Sequence, residues 1–192
     1  MVKYIGITGV AGSGKNAVAE ILEHELGTFK GDYDYTARII PLAKPLKEAI
    51  AALFDIPATV LEDREVKESK EKLTGLTYRK IMQLFGTEFV RVHFGSDFWT
   101  KRLDQVVKEG EENFYLEYVI VPDVRFQNEA DFIKSKGGVL LKVVRPDNPF
   151  AIESSHASEA EVNSIQADYV ISNISDLGQL ENKVLSLIKE IA

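Results

Sequence analysis

Short apolar runs rich in β-branched residues alternate along the chain with longer segments in which apolar residues recur every three or four positions. The runs predict buried strands, and the segments predict helices with one apolar face. Strands that alternate with helices indicate an α/β fold of three layers, in which a parallel sheet is flanked by helices. The predicted strands are Lys3–Thr8, Arg38–Leu42, Tyr118–Val121, Val139–Val144 and Tyr169–Ile171.

The helical segments each carry an apolar face that is expected to lie against the core. Apart from the first and the C-terminal helix, they are predicted at Lys44–Phe54, Thr77–Phe94 (as one helix or two), Asp97–Val107 and Glu129–Lys136. Nearly every residue from Glu62 to Lys72 is charged, which predicts a solvated helix or loop there. The expected inward-facing residues are Val18, Ile21, Leu22, Leu46, Ile50, Leu53, Ile81, Leu84, Phe85, Leu177, Leu180, Val184, Leu187, Ile188 and Ile191.

The segment between the first strand and the first helix fits the phosphate-loop pattern G-x-x-x-x-G-K. Glycines allow backbone N–H groups to turn inward around phosphate oxygens, and the following helix adds its positive end. Lys15 supplies a cation for the β and γ phosphates of ATP, which makes it a catalytic candidate. A tight glycine turn with a surface lysine is the alternative, and the spacing favours it less. The expected ATP-binding residues of the loop are Gly9, Val10, Ala11, Gly12, Ser13, Gly14 and Lys15.

Asn16 departs from this pattern, because a Ser or Thr hydroxyl usually binds Mg²⁺ at the position after the lysine. An amide oxygen is a less common ligand of this hard cation. Three hypotheses follow for Asn16. It binds magnesium directly, it acts through a water molecule, or the site binds nucleotide without catalysis.

A second acidic group is expected at Asp123, which follows a predicted strand. P-loop proteins place there a carboxylate that holds the magnesium shell, so Asp123 joins Asn16 as a metal candidate and is also a catalytic candidate. Arg125 comes two residues later and is expected beside the phosphates as a catalytic cation. The alternative is a turn aspartate with a surface arginine.

Composition narrows the function. The 192 residues carry a net charge of −7, which argues against a general nucleic-acid binder with a basic face. The chain has no cysteine, so disulfides, zinc–thiolate sites and thiol catalysis are excluded. No apolar run approaches membrane-spanning length and no signal peptide precedes the first strand, so we expect a cytoplasmic enzyme.

In their order and spacing, several motifs resemble those of the bacteriophage deoxynucleoside monophosphate kinases, which are relatives of adenylate kinase. The resemblance covers almost the whole chain. It implies one P-loop NTPase domain over residues 1–192 that transfers the γ-phosphate of ATP to a deoxynucleoside monophosphate with Mg²⁺, in the host cytoplasm if a phage encodes it. Aspartate often follows the loop lysine in this family, so Asn16 departs from that pattern too. The motifs are Gly9–Lys15, Pro45–Glu48, Tyr78–Gln83, Gly86–Glu88, Arg91, Phe94–Trp99, Asp123–Glu129, Gly137–Gly138, Val143–Pro146, His156–Glu159 and Asp168–Asn173.

The resemblance also implies an acceptor-binding helical region at about 44–110. Arg79 and Gln83 are four residues apart and share a helix face, where the arginine would bind the acceptor phosphate and the glutamine would read a base edge. Arg91 lies near the same face if Gly86 does not break the helix. A solvated helix face is the alternative for these residues. The remaining acceptor candidates are Lys44, Lys47 and Trp99, with surface lysines and a core tryptophan as the alternatives.

A polar stretch at about 146–166 is expected to form a lid. Arg145, just before it, is a catalytic candidate that would stabilise the transferring phosphoryl group, and an ordinary strand-end arginine is the alternative. His156 and Glu159 are candidate substrate contacts, although His156 also suits a helix cap. Asn173, after the last strand, is expected beside the adenine of ATP.

Two rival functions stay open at this point. Another small P-loop kinase, such as dephospho-coenzyme A kinase, would share the loop, the sheet and the lid and would differ in its acceptor. A nucleotide-binding regulator without turnover would fit the change at Asn16. For the kinase that the resemblance implies, the expected partners are ATP and a deoxynucleoside monophosphate. No nucleic acid polymer or membrane is expected as a partner. A homodimer is one option for the assembly.

Overall fold

The protein is described by a computed structural model that covers residues 2–30, 34–113, 115–148, 157–174 and 176–191. The chain divides into two compact units. One comprises Met1–Pro41 together with Leu103–Ala192, and the other is Leu42–Arg102. The second unit overlaps most of the predicted acceptor-binding range, whereas the single domain over the whole chain stays a prediction.

The first unit is built on a parallel five-stranded sheet with the strand order β4-β5-β1-β6-β7. Because β1 lies at its centre, the loop that follows β1 opens at the middle of the carboxyl edge. A separate antiparallel pair is formed by β2 (Phe29–Lys30) and β3 (Asp34–Tyr35). The strands of the sheet are β1 (Lys3–Thr8), β4 (Ala37–Ile39), β5 (Tyr118–Val124), β6 (Val139–Val144) and β7 (Tyr169–Ser172).

The α/β fold class is confirmed, as are the predicted bounds of β1 and β6. β5 and β7 run past their predicted ends, by three residues and one residue respectively. The strand predicted at Arg38–Leu42 is wrong in its bounds, because pairing with β5 stops at Ile39.

Two helices pack against one face of this sheet, and together with the sheet they form the main core of the unit. They are α1 (Lys15–Leu26) and α8 (Leu177–Ile191), and their side chains pack against the inward side chains of the strands. Burial of each Leu or Ile side chain contributes about 1.5–3 kcal/mol, so this core anchors the helix that follows the phosphate loop. Leu177 was predicted to face inward but is 64% exposed, because it is the first residue of α8.

The other helices of this unit complete its layers. They are α5 (Phe98–Asn113), which begins in the other unit, α6 (Gln127–Ser135) and α7 (Ala157–Ser164). α6 was predicted at Glu129–Lys136, but it begins two residues earlier and ends one residue earlier. Gly137 follows it with a φ of +71°, a backbone conformation that favours the end of a helix.

The Leu42–Arg102 unit has its own small core, formed by Leu46, Ile50, Ala51, Leu61 and Ile81. Its helices are α2 (Lys44–Leu53), a 3₁₀-helix at Ala58–Glu62, α3 (Arg64–Glu68), α4 (Tyr78–Gln83) and a π-helix at Leu84–Arg91. The charged run predicted to be solvated contains α3, which is entirely without buried residues.

Two predictions of inward-facing residues are wrong in this unit. Leu53 is 63% exposed because α2 ends at that residue, and Phe85 is 40% exposed. Phe85 lies in the π-helix, whose i→i+5 hydrogen bonds widen the turn and rotate later residues away from the face that an α-helix would give them. Gly86 lies inside this π-helix, so the chain does not break there. Among the described residues, none of the helices is both long enough and apolar enough to span a membrane.

Candidate phosphate-binding and phosphotransfer site

The loop between β1 and α1 is shaped by three glycines in left-handed conformations. Gly9, Gly12 and Gly14 have φ values of +147°, +77° and +102°. A side chain at Gly9 would also collide with β6, since a Cβ there would lie 2.4 Å from the carbonyl oxygen of Val143. Gly9 is therefore required both by its backbone conformation and by close packing.

Two asparagine side chains from outside the loop bind its backbone. Asn148 Nδ2 donates to the carbonyl oxygen of Ala11 at 2.7 Å, and Asn173 Nδ2 donates to that of Ser13 at 2.9 Å. Asn148 follows β6 and is buried, while Asn173 follows β7. The curvature of the loop thus depends on three strand ends rather than on the loop sequence alone.

Lys15 is the first residue of α1, and its ammonium group lies over the loop that precedes it. Nζ donates to the carbonyl oxygens of Gly9 at 2.7 Å and Val10 at 2.8 Å. The ammonium group of Lys15 is therefore held against the backbone of the glycine loop. Asn16 is the second residue of α1 and is exposed.

Two buried hydroxyl groups lie at this end of β1. Thr8 Oγ1 and Ser13 Oγ are fully buried, and neither has a hydrogen-bond partner among the residues that the structure describes. A buried hydroxyl without a partner is costly, so these two oxygens mark a place where a polar ligand would be favourable.

Asp123 lies in an irregular stretch of β5, next to the end of β1. Gly6 is paired with Val121 and Thr8 with Val124, so β5 has one more residue than β1 between these pairs. Pro122 explains the bulge, because proline has no N–H to donate to a neighbouring strand. The sequence predicted Asp123 just after the strand, whereas the structure places it within the bulge. The bulge brings Asp123 beside Thr8, at the carboxyl edge of the sheet.

Arg125 follows β5 and is held through its backbone. The buried carboxylate of Glu129 accepts hydrogen bonds from the N–H groups of Arg125 at 2.8 Å and Phe126 at 3.1 Å. Glu129 is the third residue of α6, where a carboxylate also stabilises the positive end of the helix. The sequence prediction missed Glu129, although a glutamate three residues after a helix boundary is a known capping signal.

The start of the predicted lid is described only in part. Arg145 follows β6 and is exposed, and its carbonyl oxygen accepts from the N–H of Asn148 at 3.2 Å. His156 lies outside the described residues. Glu159 lies in α7, but its side chain is not among those that the structure describes. The contacts predicted for these two residues stay predictions.

Asp168 lies just before β7 and holds the start of that strand against β6. Asn173 follows the other end of β7. The carboxylate of Asp168 accepts from the N–H of Leu140 at 2.8 Å and from Lys134 Nζ at 2.5 Å. Burial raises the pKa of Asp168, but the hydrogen bonds from Lys134 and Leu140 outweigh it and leave the pKa below its usual value. Asp168 therefore stays ionised and keeps these bonds at neutral pH.

In the Leu42–Arg102 unit, two of the predicted acceptor cations are paired with glutamates. Lys47 Nζ donates to both carboxylate oxygens of Glu62 at 2.7 Å, and Arg79 Nε donates to Glu68 Oε1 at 2.5 Å. Lys44, the first residue of α2, is exposed.

The other predicted acceptor residues occupy different helical segments. Arg79 and Gln83 both lie in α4 and share a face, but Arg91 ends the π-helix, where α-helical spacing no longer predicts the face. Trp99 packs against the small core, and its indole N–H donates to the carbonyl oxygen of Gly86 at 3.1 Å. The packing alternative weighed for Trp99 is thus present in the structure.

A glycine cradle with a lysine over it, an adjacent helix N-terminus and an acidic residue on the neighbouring strand define the class of P-loop phosphotransferases. Comparison with known proteins defines the family more closely. The sequence profile of the deoxynucleotide monophosphate kinase family matches residues 56–184. The chain belongs to the deoxynucleotide monophosphate kinase family.

Individual relatives agree with this assignment. A protein of Acanthamoeba polyphaga mimivirus, provisionally named deoxynucleotide monophosphate kinase, is 31% identical over 208 residues, which cover 96% of this chain and 95% of that protein. The deoxynucleotide monophosphate kinase of Enterobacteria phage T4 is 32% identical over 113 residues, covering 58% of this chain and 45% of the T4 enzyme.

Two solved structures match the chain at low sequence identity. Shikimate kinase from Aquifex aeolicus has a TM-score of 0.48 at 14% identity, covering 97% of this chain and 96% of its own. Dephospho-CoA kinase from Campylobacter jejuni has a TM-score of 0.46 at 18% identity, covering 99% of this chain and 97% of its own. These likenesses add nothing to the choice of acceptor.

Proposed function

We propose that the protein transfers the γ-phosphate of ATP to the 5′-phosphate of a deoxynucleoside monophosphate. An oxygen of the acceptor phosphate forms a bond to the γ-phosphorus while the bond from that phosphorus to the β,γ-bridging oxygen breaks. ADP leaves and a deoxynucleoside diphosphate is formed. The observation that carries the proposal is the glycine cradle with Lys15 over it, in a chain of this family.

Phosphoryl transfer needs positioning and positive charge more than covalent chemistry from the protein. Lys15 supplies charge to the β and γ phosphates, and the N-terminus of α1 adds its own positive end. We assign Arg125 and Arg145 to the charge that develops on the transferring group. Support for this assignment is their position directly after β5 and β6, the strands on either side of β1.

Magnesium fits the residues at this end of the sheet. The donor set is made of oxygen atoms, which Mg²⁺ prefers, and it includes a carboxylate at Asp123, an amide at Asn16 and the unpartnered hydroxyl of Thr8. We propose that Asn16 and Asp123 hold the ion, directly or through water. When bound, magnesium neutralises phosphate charge, and the residues of this chain orient its shell.

The test of the metal assignment is a magnesium titration at saturating ATP and acceptor. We expect Asn16→Ser to keep activity within about tenfold, because Ser provides the usual hydroxyl ligand. Asn16→Leu and Asp123→Asn should raise the Mg²⁺ concentration needed for half-maximal rate. If Asn16→Leu titrates like wild type, Asn16 has no part in the metal shell.

For the acceptor, we propose that its phosphate binds Arg79 and one or both of Lys44 and Lys47. A phosphate offers the same paired oxygens as the carboxylates of Glu62 and Glu68 that now bind Lys47 and Arg79. Contacts of the acceptor with Gln83, Arg91, Trp99, His156 and Glu159, and of adenine with Asn173, stay predictions. So do the cytoplasmic location and the homodimer.

The two rival functions differ from this proposal in one assay. ADP formation is measured with ATP and Mg²⁺ plus, in turn, each deoxynucleoside monophosphate, each ribonucleoside monophosphate, dephospho-coenzyme A, and no acceptor. We expect ADP only with one or more deoxynucleoside monophosphates or their ribose counterparts. ADP with dephospho-coenzyme A alone would identify the other kinase class. Tight ATP binding with no ADP from any acceptor would identify a regulator.

A further inference from the structure

We propose that Asn148 and Asn173 are positioning residues that set the direction of two phosphate-binding N–H groups in the loop. Each donates a side-chain hydrogen bond to one loop carbonyl, Asn148 to Ala11 and Asn173 to Ser13. The inference rests on the proposed function only in that the loop binds a triphosphate.

The argument follows from the planar peptide group. In a trans peptide, the carbonyl oxygen of one residue and the N–H of the next point in opposite directions. When Asn148 holds the oxygen of Ala11, it therefore turns the N–H of Gly12 away from Asn148. In the same way Asn173 turns the N–H of Gly14 away from itself. Both N–H groups belong to glycines with positive φ, whose peptide planes would rotate easily without a partner.

Both asparagines are held in place by backbone bonds at the ends of strands. The N–H of Asn173 donates to the carbonyl oxygen of Val144 at 2.8 Å, and that of Asn148 donates to Arg145 at 3.2 Å. Asn148 is 6% exposed, so its amide is shielded from water, where a single hydrogen bond has more effect on conformation. The two side-chain amides thus hold the loop in a fixed position relative to the ends of β6 and β7.

Packing at Gly14 supports the role of Asn173. A Cβ at Gly14 would lie 2.3 Å from Asn173 Nδ2, so the glycine leaves the space into which this amide fits. The loop and the asparagine are therefore complementary in shape as well as in hydrogen bonding. The amide nitrogen of Asn173 binds the glycine loop, and the contact of Asn173 with the adenine stays a prediction.

This role makes a specific prediction about which part of ATP is affected. Orientation of loop N–H groups acts on the phosphates, so it should affect inorganic tripolyphosphate and ATP equally. Contact with the base would affect ATP alone. The test compares Asn148→Leu and Asn173→Leu, which keep the branched shape and remove the donor without adding charge. Asn182→Leu, at an exposed position of α8, is the matched control.

Dissociation constants for ATP and tripolyphosphate are measured by calorimetry at one magnesium concentration. We expect each loop-binding variant to weaken both ligands by the same factor, roughly tenfold, because each loses the orientation of one donor. Asn182→Leu should match wild type. Thermal unfolding checks that the variants are folded, and Asn148→Ser and Asn173→Ser, which keep a smaller donor, should recover part of the affinity.

Two results would overturn the inference. One is weaker ATP binding with unchanged tripolyphosphate binding, which would assign Asn173 or Asn148 to the nucleoside. The other is unchanged binding of both ligands by folded variants. Failure of the wild-type protein to bind tripolyphosphate or ATP at all would instead contradict the proposed function, so the two failures are distinguishable.

Discussion

The two units of the molecule hold their positive charges in opposite ways. At the phosphate loop, Lys15 donates to backbone carbonyl oxygens and the loop is bound by two neutral asparagine amides. In the Leu42–Arg102 unit, Lys47 and Arg79 are each bound by a glutamate carboxylate. In the first arrangement these acceptors are neutral backbone carbonyls, whereas in the second they are carboxylates that another anion can replace.

The difference indicates how each region would receive a phosphate. The cradle at the loop is formed in advance, because its glycine conformations and hydrogen bonds are already present. Under the proposed function, the cations of the other unit exchange their glutamate partners for the acceptor phosphate. Partly exposed ion pairs are worth about 0–1 kcal/mol, so a phosphate can displace the glutamates at small cost. We therefore expect changes at the loop to have large effects and changes at these pairs to have small ones.

The largest effect is expected from Lys15→Ala, which removes the cation of the preformed cradle. Turnover should fall by about a hundredfold or more, because stabilisation of charge in the transition state is lost, while the fold stays intact. Steady-state kinetics and thermal unfolding measure the two quantities. Lys189→Ala, at an exposed position of α8, is the control and should match wild type. Wild-type turnover in folded Lys15→Ala protein would contradict the site assignment.

A second prediction distinguishes a loss of ATP affinity caused by a changed cradle shape from a loss of stability caused by backbone strain. Gly14→Ala should weaken ATP binding by about tenfold or more, because the residue has a φ of +102° and its Cβ would collide with Asn173. Gly137→Ala is the matched control, since Gly137 also has a positive φ but its Cβ would meet nothing within 4 Å. It should lose about 1 kcal/mol of unfolding free energy and keep ATP affinity. Equal ATP affinity in both variants would show that the cradle is not shape-selective.

A third prediction concerns the glutamate-bound cations. Arg79→Ala should raise the Michaelis constant for the monophosphate and leave that for ATP nearly unchanged. Glu68→Gln should lower the monophosphate constant by about threefold, because Arg79 then loses its competing anion. Lys80→Ala removes a different ion pair of the same unit, with Glu88, and serves as the control. Equal losses on both substrates in Arg79→Ala, or none, would remove Arg79 from the acceptor site.

The smallest effect is expected at Asp104, whose carboxylate binds Lys136 and Lys108. The hydrogen bond from Lys136 is the main cause that lowers the pKa of Asp104, against the opposing effect of burial. A lowered pKa in the folded state stabilises the fold above the unfolded value near 3.9, and this contribution is lost as pH falls through the folded pKa.

Asp104→Asn should therefore cost less than about 1 kcal/mol of unfolding free energy at pH 7, and the difference from wild type should shrink in acid. Urea denaturation at pH 7 and at pH 3 measures it. Asp147→Asn, on the exposed turn after β6, is the control. A difference that is constant with pH would show that the ion pairs of Asp104 do not contribute.

The contrast between the two units also explains what the sequence could predict. β1, β6 and the phosphate loop were predictable because they are local patterns, in which apolar runs end at glycine or at Arg-Pro and the loop glycines have fixed spacing. The loop also sits in a fixed strand–loop–helix context. The sequence alone therefore predicts both the loop Gly9–Lys15 and the strand that precedes it.

Features that depend on distant residues were not predictable. Asn148 is one polar residue in a polar stretch, and nothing near it in sequence indicates that it binds the loop at Ala11. The pairing of Arg79 with Glu68 joins residues 11 positions apart across a turn. The π-helix shifts the helical face after Gln83, so the α-helical spacing that placed Phe85 inside fails there, and that spacing no longer predicts the face of Arg91.

The central claim is that the cradle around Lys15 transfers phosphate to a deoxynucleoside monophosphate. The most direct test uses ATP labelled in the γ-phosphate, incubated with wild-type protein, Mg²⁺ and an equimolar mixture of the deoxynucleoside monophosphates. We predict that the label appears in deoxynucleoside diphosphates, with one ADP formed for each, and that Lys15→Ala reduces this transfer by about a hundredfold or more. Label that stays in ATP, or appears only as inorganic phosphate, would contradict the account.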